Sequence, residues 1–401
     1  MIYLDHASTT PMDEEVVKAM APFYNKKFAN PSSLYKIGRE AARAIADSRE
    51  SVAKVLNCQA EEIVFTAGGT ESDNLAIFGI ANQFIRQPPE NPKNYHLITT
   101  QIEHSAVLES FRALEQKGFQ VTYLPVDKFG LVSPDELMKA LKPNTILLSI
   151  MYANNEIGTI QPIAEIASII KNYRQIQQVG KSKNPIYPIL HTDGCQAAGY
   201  LDLDVDKLGV ALMTLNGSKI YGPKQIGLLY KRKEIKLAPI LYGGEQEGKM
   251  RPGTENVAAI VGFAKALELA NKAKKEESKR LTKLRDYFVM ELLKIPETIL
   301  NGHHQQRLPN NINVTFKRIE GESIMLKLDA KEIYVSTGSA CHSLSLKPSH
   351  VILAIGQDAG AAHGSMRFTM GKSTTKKDID QVLKVLPKII NDLRRLTAIR
   401  K

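Results

Sequence analysis

Three short strings in this sequence hold residues of the kinds that grip an anion, balance a cation and attack a carbonyl. The first, TAGGTESDNLAI, runs from Thr66 to Ile77: a β-branched run ends, Gly68 and Gly69 turn the chain, and Thr70 with Glu71 opens a helical pattern. Such a turn aims backbone N–H groups and the positive helix end at an anion, worth ~0.3 to 2 kcal/mol from the dipole alone. The second, HTDGCQ at His191 to Gln196, follows the strand-like run Ile186 to Leu190 and puts the carboxylate of Asp193 at a strand's carboxyl end. The third, LNGSKIYGPK at Leu215 to Lys224, sets Lys219 among small residues after another strand. An amine desolvated there has a lowered pKa and exists as a neutral nucleophile near neutral pH. Singly, each has a plainer reading: Thr70 as an ordinary N-cap, Asp193 in a structural ion pair, Lys219 as a solvated loop lysine. Their coincidence at three strand ends points towards pyridoxal phosphate, which needs an anion cradle, a carboxylate at its ring nitrogen and a Schiff-base lysine.

The elements that position them alternate. Helical periodicity marks Ser33 to Leu56, Thr70 to Ile85, Ser105 to Lys117 and Ile163 to Tyr173. Strand-like runs fall at Glu62 to Thr66, His96 to Thr100, Gln120 to Leu124, Thr145 to Ile150, Ile186 to His191, Ala211 to Leu215 and Ile226 to Tyr230. This alternation predicts an α/β fold with a mostly parallel sheet flanked by helices, whose ligand lies beyond the carboxyl ends of the strands. A Lys/Glu-rich amphipathic pattern from Glu255 to about Leu293 marks a change of composition near Gly253. It is followed by strand-like Ile312 to Phe316 and Tyr334 to Thr337 and by a last helix near Lys377 to Thr397. The expected division is a large domain over 13–253 and a smaller α+β domain made of 1–12 and 254–401. Gln83 to Asn94 and Gln175 to Pro185 read as polar loops.

Composition narrows the class. With 401 residues, 43% hydrophobic and 24% charged, the chain is an ordinary globular protein of two or three units, neither fibrous nor disordered. Cys58, Cys195 and Cys341 cannot form a disulfide framework and show no Cys-x-x-Cys spacing, which implies a reducing compartment and no zinc site. No apolar run approaches the roughly 20 residues of a membrane span, and the start Met1-Ile2-Tyr3-Leu4-Asp5 lacks a basic leader, so a cytoplasmic protein is expected. The net charge of +11 sits in Lys-rich helices without interleaved aromatics, which argues against direct nucleic-acid binding. His303 and His304 read as a polar loop.

In order along the chain, the strings YLDHASTTP, ANPSS, GGTESDNLAI, IEHSAV, NNEIG, HTDGCQ, GSKIYGPK, RPGTEN, EGES, STGSACHS and SMRFTMG resemble the cysteine desulfurases of the NifS/IscS type. These are fold-type I pyridoxal-phosphate enzymes related to class V aminotransferases. The resemblance implies that Lys219 carries the cofactor, Asp193 pairs with its pyridine nitrogen, Gln196 bonds its phenolic oxygen and His104 stacks on its ring. It places Gly69, Thr70, Asn155, Asn216 and Ser218 around the cofactor, joined at the phosphate by Thr254 from a second subunit of a homodimer. Asn30, Asn155 and Arg367 would hold the α-carboxylate of L-cysteine, and Cys341 would take the sulfur as a persulfide, leaving L-alanine. An iron–sulfur scaffold is the implied acceptor, with tRNA thiolation equally compatible. The long spacing from Cys341 to Arg367 is similar to the IscS/NifS group rather than the SufS-like one.

Two positions depart from that pattern. Asn216, Gly217 and Ser218 stand where Ser-Gly-His commonly precedes the lysine, and His342 follows Cys341 where Thr is usual. Asn216 and Ser218 still donate hydrogen bonds, so cofactor binding with altered phosphate contacts is expected. A relative acting on another amino acid, such as a selenocysteine lyase, and a catalytically weak docking protein are the other readings.

Overall fold

The computed structural model describes residues 1–85, 91–179, 187–337 and 348–399. The chain begins with a short strand, β1 (Ile2–Tyr3), before the main sheet is laid down by β2 (Ile63–Thr66), β3 (His96–Thr100), β4 (Gln120–Leu124), β5 (Thr145–Ser149), β6 (Ile189–Asp193), β7 (Leu212–Asn216) and β8 (Gly227–Lys231). Their order across the sheet is β2-β8-β7-β6-β5-β3-β4. Strand β8 runs antiparallel to both of its neighbours, while the pairings from β7 across to β4 are parallel. The expected α/β architecture with a mostly parallel sheet is what the chain forms.

The central strands β3, β5 and β6 are buried along their whole length, as strands covered on both faces must be. Adjacent residues alternate between two apolar layers. Leu97, Leu147, Ile189 and Leu212 pack under helices Gly69–Ile85 and Ser105–Gln116 through Leu75, Ile80, Val107 and Phe111. Ile98, Leu148, Leu190 and Met213 face helices Lys36–Leu56 and Ile163–Val179 and the first part of Val257–Leu292. Helix Ile163–Val179 corrects one expectation, since residues 175–179 continue it rather than opening a loop. Gln is a good helix former, and a Gln-rich run adds a turn readily to a helix already nucleated. Likewise Gln83 and Ile85 close the preceding helix, and Pro92–Asn94 forms a 3₁₀ turn.

A second sheet, ordered β12-β13-β10-β9, comes from β9 (Thr298–Leu300), β10 (Asn311–Phe316), β12 (Ser336–Thr337) and β13 (Ser365–Thr369). Between β10 and β12 lies β11 (Ile333–Tyr334), which takes β1 as a parallel partner. Phe288, Phe316 and Phe368 centre its core, closed by helix Lys376–Ile399 through Leu386 and Ile390. Helix Val257–Leu292 joins both cores: Phe263 and Leu267 lie in the large one, Leu281 and Phe288 in the smaller. The chain's N-terminus therefore crosses to the second sheet and then returns past the mouth of the first.

Candidate active site

Strands β2, β6 and β7 deliver the three strings to one end of the sheet. After β2, Gly68 at φ 146° makes a turn into the helix that starts at Gly69, and Thr66 Oγ1 donates to the Gly68 carbonyl at 3.1 Å. A Cβ on Gly69 would stand 3.0 Å from Cys195 Sγ and 3.4 Å from Asn216 Nδ2, so only glycine lets the turn press against the ends of β6 and β7. The opening N–H groups of this helix face a cavity of about 800 Å³ whose lining includes Ser8, Gly69, Thr70, Asn216 and Ser218. Asn216 Oδ1 accepts from Ser218 N at 3.1 Å and caps the 3₁₀ turn Gly217–Lys219, which leaves its amide nitrogen on the Gly69 side. These residues suit a phosphate: small, neutral donors at a helix start, beside a turn held close to the strand ends by Gly69.

The N-terminal segment ties the cavity to the second sheet. Lys219 Nζ donates to the Ser8 carbonyl, and Gln196 Nε2 donates to the Ala7 carbonyl at 3.0 Å. Arg367, on β13, donates through one terminal nitrogen to Ser8 Oγ and Asp5 Oδ1, each at 2.8 Å. Its other terminal nitrogen donates to the Asn155 carbonyl at 3.0 Å. The amine and the guanidinium thus meet the two sides of one residue, Ser8. Asp5 and Ser8 lie in the YLDHASTTP string, yet nothing in their types marked them as partners of residues more than 350 positions away.

Behind the strand ends lies a set of buried groups that pattern did not single out. Asp193 Oδ1 accepts from Cys195 N at 2.9 Å. Burial, reinforced by the charge of Asp193, holds the Asp73 carboxyl well above its ordinary range. Burial also raises Glu103 to about 8 and lowers His191 to about 4. His191 Nε2 lies 3.7 Å from Asp73, and the ring nitrogens are bonded by Ser149 at 2.8 Å and Thr214 at 3.0 Å. Glu156, also buried, is raised to about 7 by burial, opposed by the Ser349 hydroxyl and by Arg367. His104 caps helix Ser105–Gln116, its Nδ1 accepting from Ala106 N at 3.1 Å.

Other expected residues stand apart. Asn30 lies in an exposed turn, its Oδ1 accepting from Ser32 N at 2.9 Å, apart from the bonds that Arg367 makes to Asp5, Ser8 and Asn155. Thr254 is exposed ahead of the long helix. Cys341 and His342 lie outside the described residues. Burial pushes the Cys58 thiol up to about 12 and the Cys195 thiol well above its ordinary value, so neither is a ready thiolate. His303 Nδ1 accepts from Gln305 N and Gln306 N, a local loop cap, and no metal-binding cluster occurs among the described residues.

Residues 2–382 match the family described as Aminotransferase class-V. The chain belongs to the class-V aminotransferase family. Within this family it is similar to the protein named cysteine desulfurase IscS of Methanosarcina thermophila, at 51% identity over 398 residues, 99% of this chain and 94% of that relative. The IscS of Dictyoglomus turgidum is 50% identical over 401 residues, 100% of this chain and 97% of its own. Among solved structures, a NifS-like protein superposes with a TM-score of 0.88 at 36% identity, covering 98% of this chain and all of its own. SspA in complex with cysteine gives 0.79 at 34% identity, covering 92% and 99%. These likenesses extend over both sheets and the helix between them.

Proposed function

We propose that this class-V aminotransferase is a cysteine desulfurase that converts L-cysteine to L-alanine and passes the sulfur to Cys341 as a persulfide, with pyridoxal 5'-phosphate as cofactor. The observation that carries the reading is that Lys219 and Arg367, an amine for the cofactor and a guanidinium for the α-carboxylate, both bond Ser8, which lines the cavity at the helix start. The relatives' names and the cysteine held by SspA support the same substrate.

The turn at Gly68 to Thr70 would hold the phosphate with Asn216 and Ser218, Asp193 the ring nitrogen, and Gln196 the phenolic oxygen. When bound, the cofactor supplies an electron sink for the pair left at the substrate's Cα. Arg367 and Asn155 orient the carboxylate, the guanidinium fork suiting two parallel charge-assisted bonds. The Lys219 amine takes the Cα proton, and His104 covers the ring and relays a proton. Cys341, as thiolate, attacks the substrate's sulfur: a sulfur–sulfur bond forms, the carbon–sulfur bond breaks with its electron pair left on the carbon side, and protonation there completes alanine. A free thiol with a pKa of ~8.5 is a few per cent thiolate at neutral pH, enough for a well-placed nucleophile.

The working enzyme is a homodimer in which Thr254 of one subunit reaches the other's phosphate. It acts in the cytoplasm and delivers sulfur to an iron–sulfur scaffold or another acceptor. No helix among the described residues is long and apolar enough to cross a membrane. Mass spectrometry after incubation with L-cysteine tests the reading. One added sulfur is expected on Cys341, and Cys341→Ser should lose it while the yellow cofactor stays bound. Alanine release by Cys341→Ser at the wild-type rate with a thiol reductant present would overturn the role of this residue.

A further inference from the structure

Two buried carboxyl residues adjoin catalytic positions without entering the reaction above. Glu103 precedes His104, and Glu156 follows Asn155. Both are met by the same stretch of chain, which resumes after residues 338–347. Ser349 Oγ donates to Glu156 Oε2 at 2.5 Å and accepts from Ile352 N at 3.2 Å, capping the helix His350–Ala354. His350 Nε2 lies 3.0 Å from the Glu103 carbonyl. Val351, Ile352 and Ile355 are buried against Ile102, Met151 and Ile157, so a five-residue helix too short to hold itself is fixed by what it touches. At the other end of 338–347, Ser336 stands opposite Arg367 in register. The stretch containing Cys341 therefore leaves the described structure beside Arg367 and returns to it beside Asn155 and His104.

Keeping a carboxyl at 5% exposure in this place is costly unless a donor meets it, and Ser349 is that donor. The carbonyl of Asn155, one residue away, also accepts from Arg367.

We propose that Glu156 is a positioning residue for sulfur transfer, which through its hydrogen bond to Ser349 fixes where the chain re-enters the active site after Cys341. This rests on the reading of Cys341 as the sulfur acceptor. Its consequence is a division of labour: loss of the Glu156–Ser349 bond slows sulfur transfer, while binding of L-cysteine depends on Arg367, Asn155 and the cofactor.

The test uses cofactor-loaded full-length enzyme mixed with L-cysteine in a single turnover, reading both the change in cofactor absorbance and persulfide on Cys341 by quenched mass spectrometry. Ser349→Ala and Glu156→Ala are expected to slow persulfide formation by about tenfold or more, as a small misplacement of a reacting atom does. The L-cysteine concentration giving the half-maximal absorbance change should move by less than about threefold. Ser349→Thr and Glu156→Gln keep the hydroxyl donor and an oxygen acceptor and should restore the rate. Melting curves confirm that the variants compared are folded; if an alanine variant is not, Ser349→Thr against Ser349→Val gives the same contrast. Wild-type persulfide rates in the alanine variants, or a loss that parallels weakened L-cysteine binding, would overturn the proposal. Wild-type enzyme that never carries sulfur on Cys341 would overturn the underlying reading and this proposal with it.

Discussion

Burial decides the charge of the groups around Asp193, and one of them gives a direct pH signature. The Glu103 carboxyl accepts through Oε1 from Thr100 Oγ1 at 2.7 Å and Met151 N at 3.0 Å, while Oε2 has no hydrogen-bond partner among the described residues. Its folded-state pKa of about 8 stands above the ordinary 4.5, so between these values the native chain holds a proton that the unfolded chain has released. Stability contributed by the neutral acid is present below about pH 4.5 and is lost as pH rises towards 8, with a slope of up to ~1.4 kcal/mol per pH unit. Glu103→Gln keeps an oxygen for both donors and cannot ionise. Denaturant titrations of the two proteins from pH 5 to 8 should differ by this contribution, the variant losing less stability per pH unit than the parent; equal slopes would place the titration elsewhere. Lys219, Asp193 and Thr70 were legible in the sequence because strand ends and glycine turns are local patterns. Glu103, Asp73 and Asp5 were not, because what distinguishes them is depth or a partner hundreds of residues away.

At the scale of elements, the site depends on β8 fitting between β2 and β7 with no room to spare. Gly227 opens β8 and lies in register with Thr66 on one side and Asn216 on the other, the residues from which the Gly68 turn and the turn carrying Lys219 depart. A Cβ there would stand 2.4 Å from the Gly68 carbonyl carbon and 2.7 Å from its Cα, both backbone atoms that no rotamer can move aside. Gly227→Ala must therefore push β8 or the Gly68 turn outward, at a cost of about 1–3 kcal/mol, the range of overpacked cores. A lower melting temperature together with weaker retention of pyridoxal phosphate in a dialysis titration is the expected result. Gly199→Ala serves as the control, since nothing lies within 4 Å of its added methyl; equal behaviour of the two variants would count against the fit. The strands themselves were readable to within a few residues, β3 and β4 to the residue. Among the elements missed were β1 and β9, too short at two and three residues to show a period, and β13, whose five residues are all buried and so do not alternate, while the helical run at 175–179 was masked by its glutamines.

The whole molecule leaves an apolar surface that a solitary chain has no use for. Tyr24, Phe28, Leu34 and Tyr35 fall within twelve residues and remain largely exposed, Leu34 at 89%, and Leu241, which lines the cavity, and its neighbour Tyr242 are exposed too. Such clusters on a chain of this size mark contact surfaces. Thr254 is exposed as well, and the cavity includes no residue from its stretch, which is the arrangement expected if the phosphate end is completed by a second subunit. Placing a charge in the patch should therefore affect two properties together. Leu34→Asp combined with Tyr35→Asp is expected to shift sedimentation from dimer to monomer and, at the same protein concentration, to weaken cofactor retention by about tenfold, a loss of ~1.4 kcal/mol. Raising the protein concentration should recover dimer and cofactor in parallel, because mass action links association to any site the dimer completes. A monomer that keeps its cofactor as tightly as the parent would show that each chain builds its phosphate site alone, and a variant that stays dimeric would put the interface on another face.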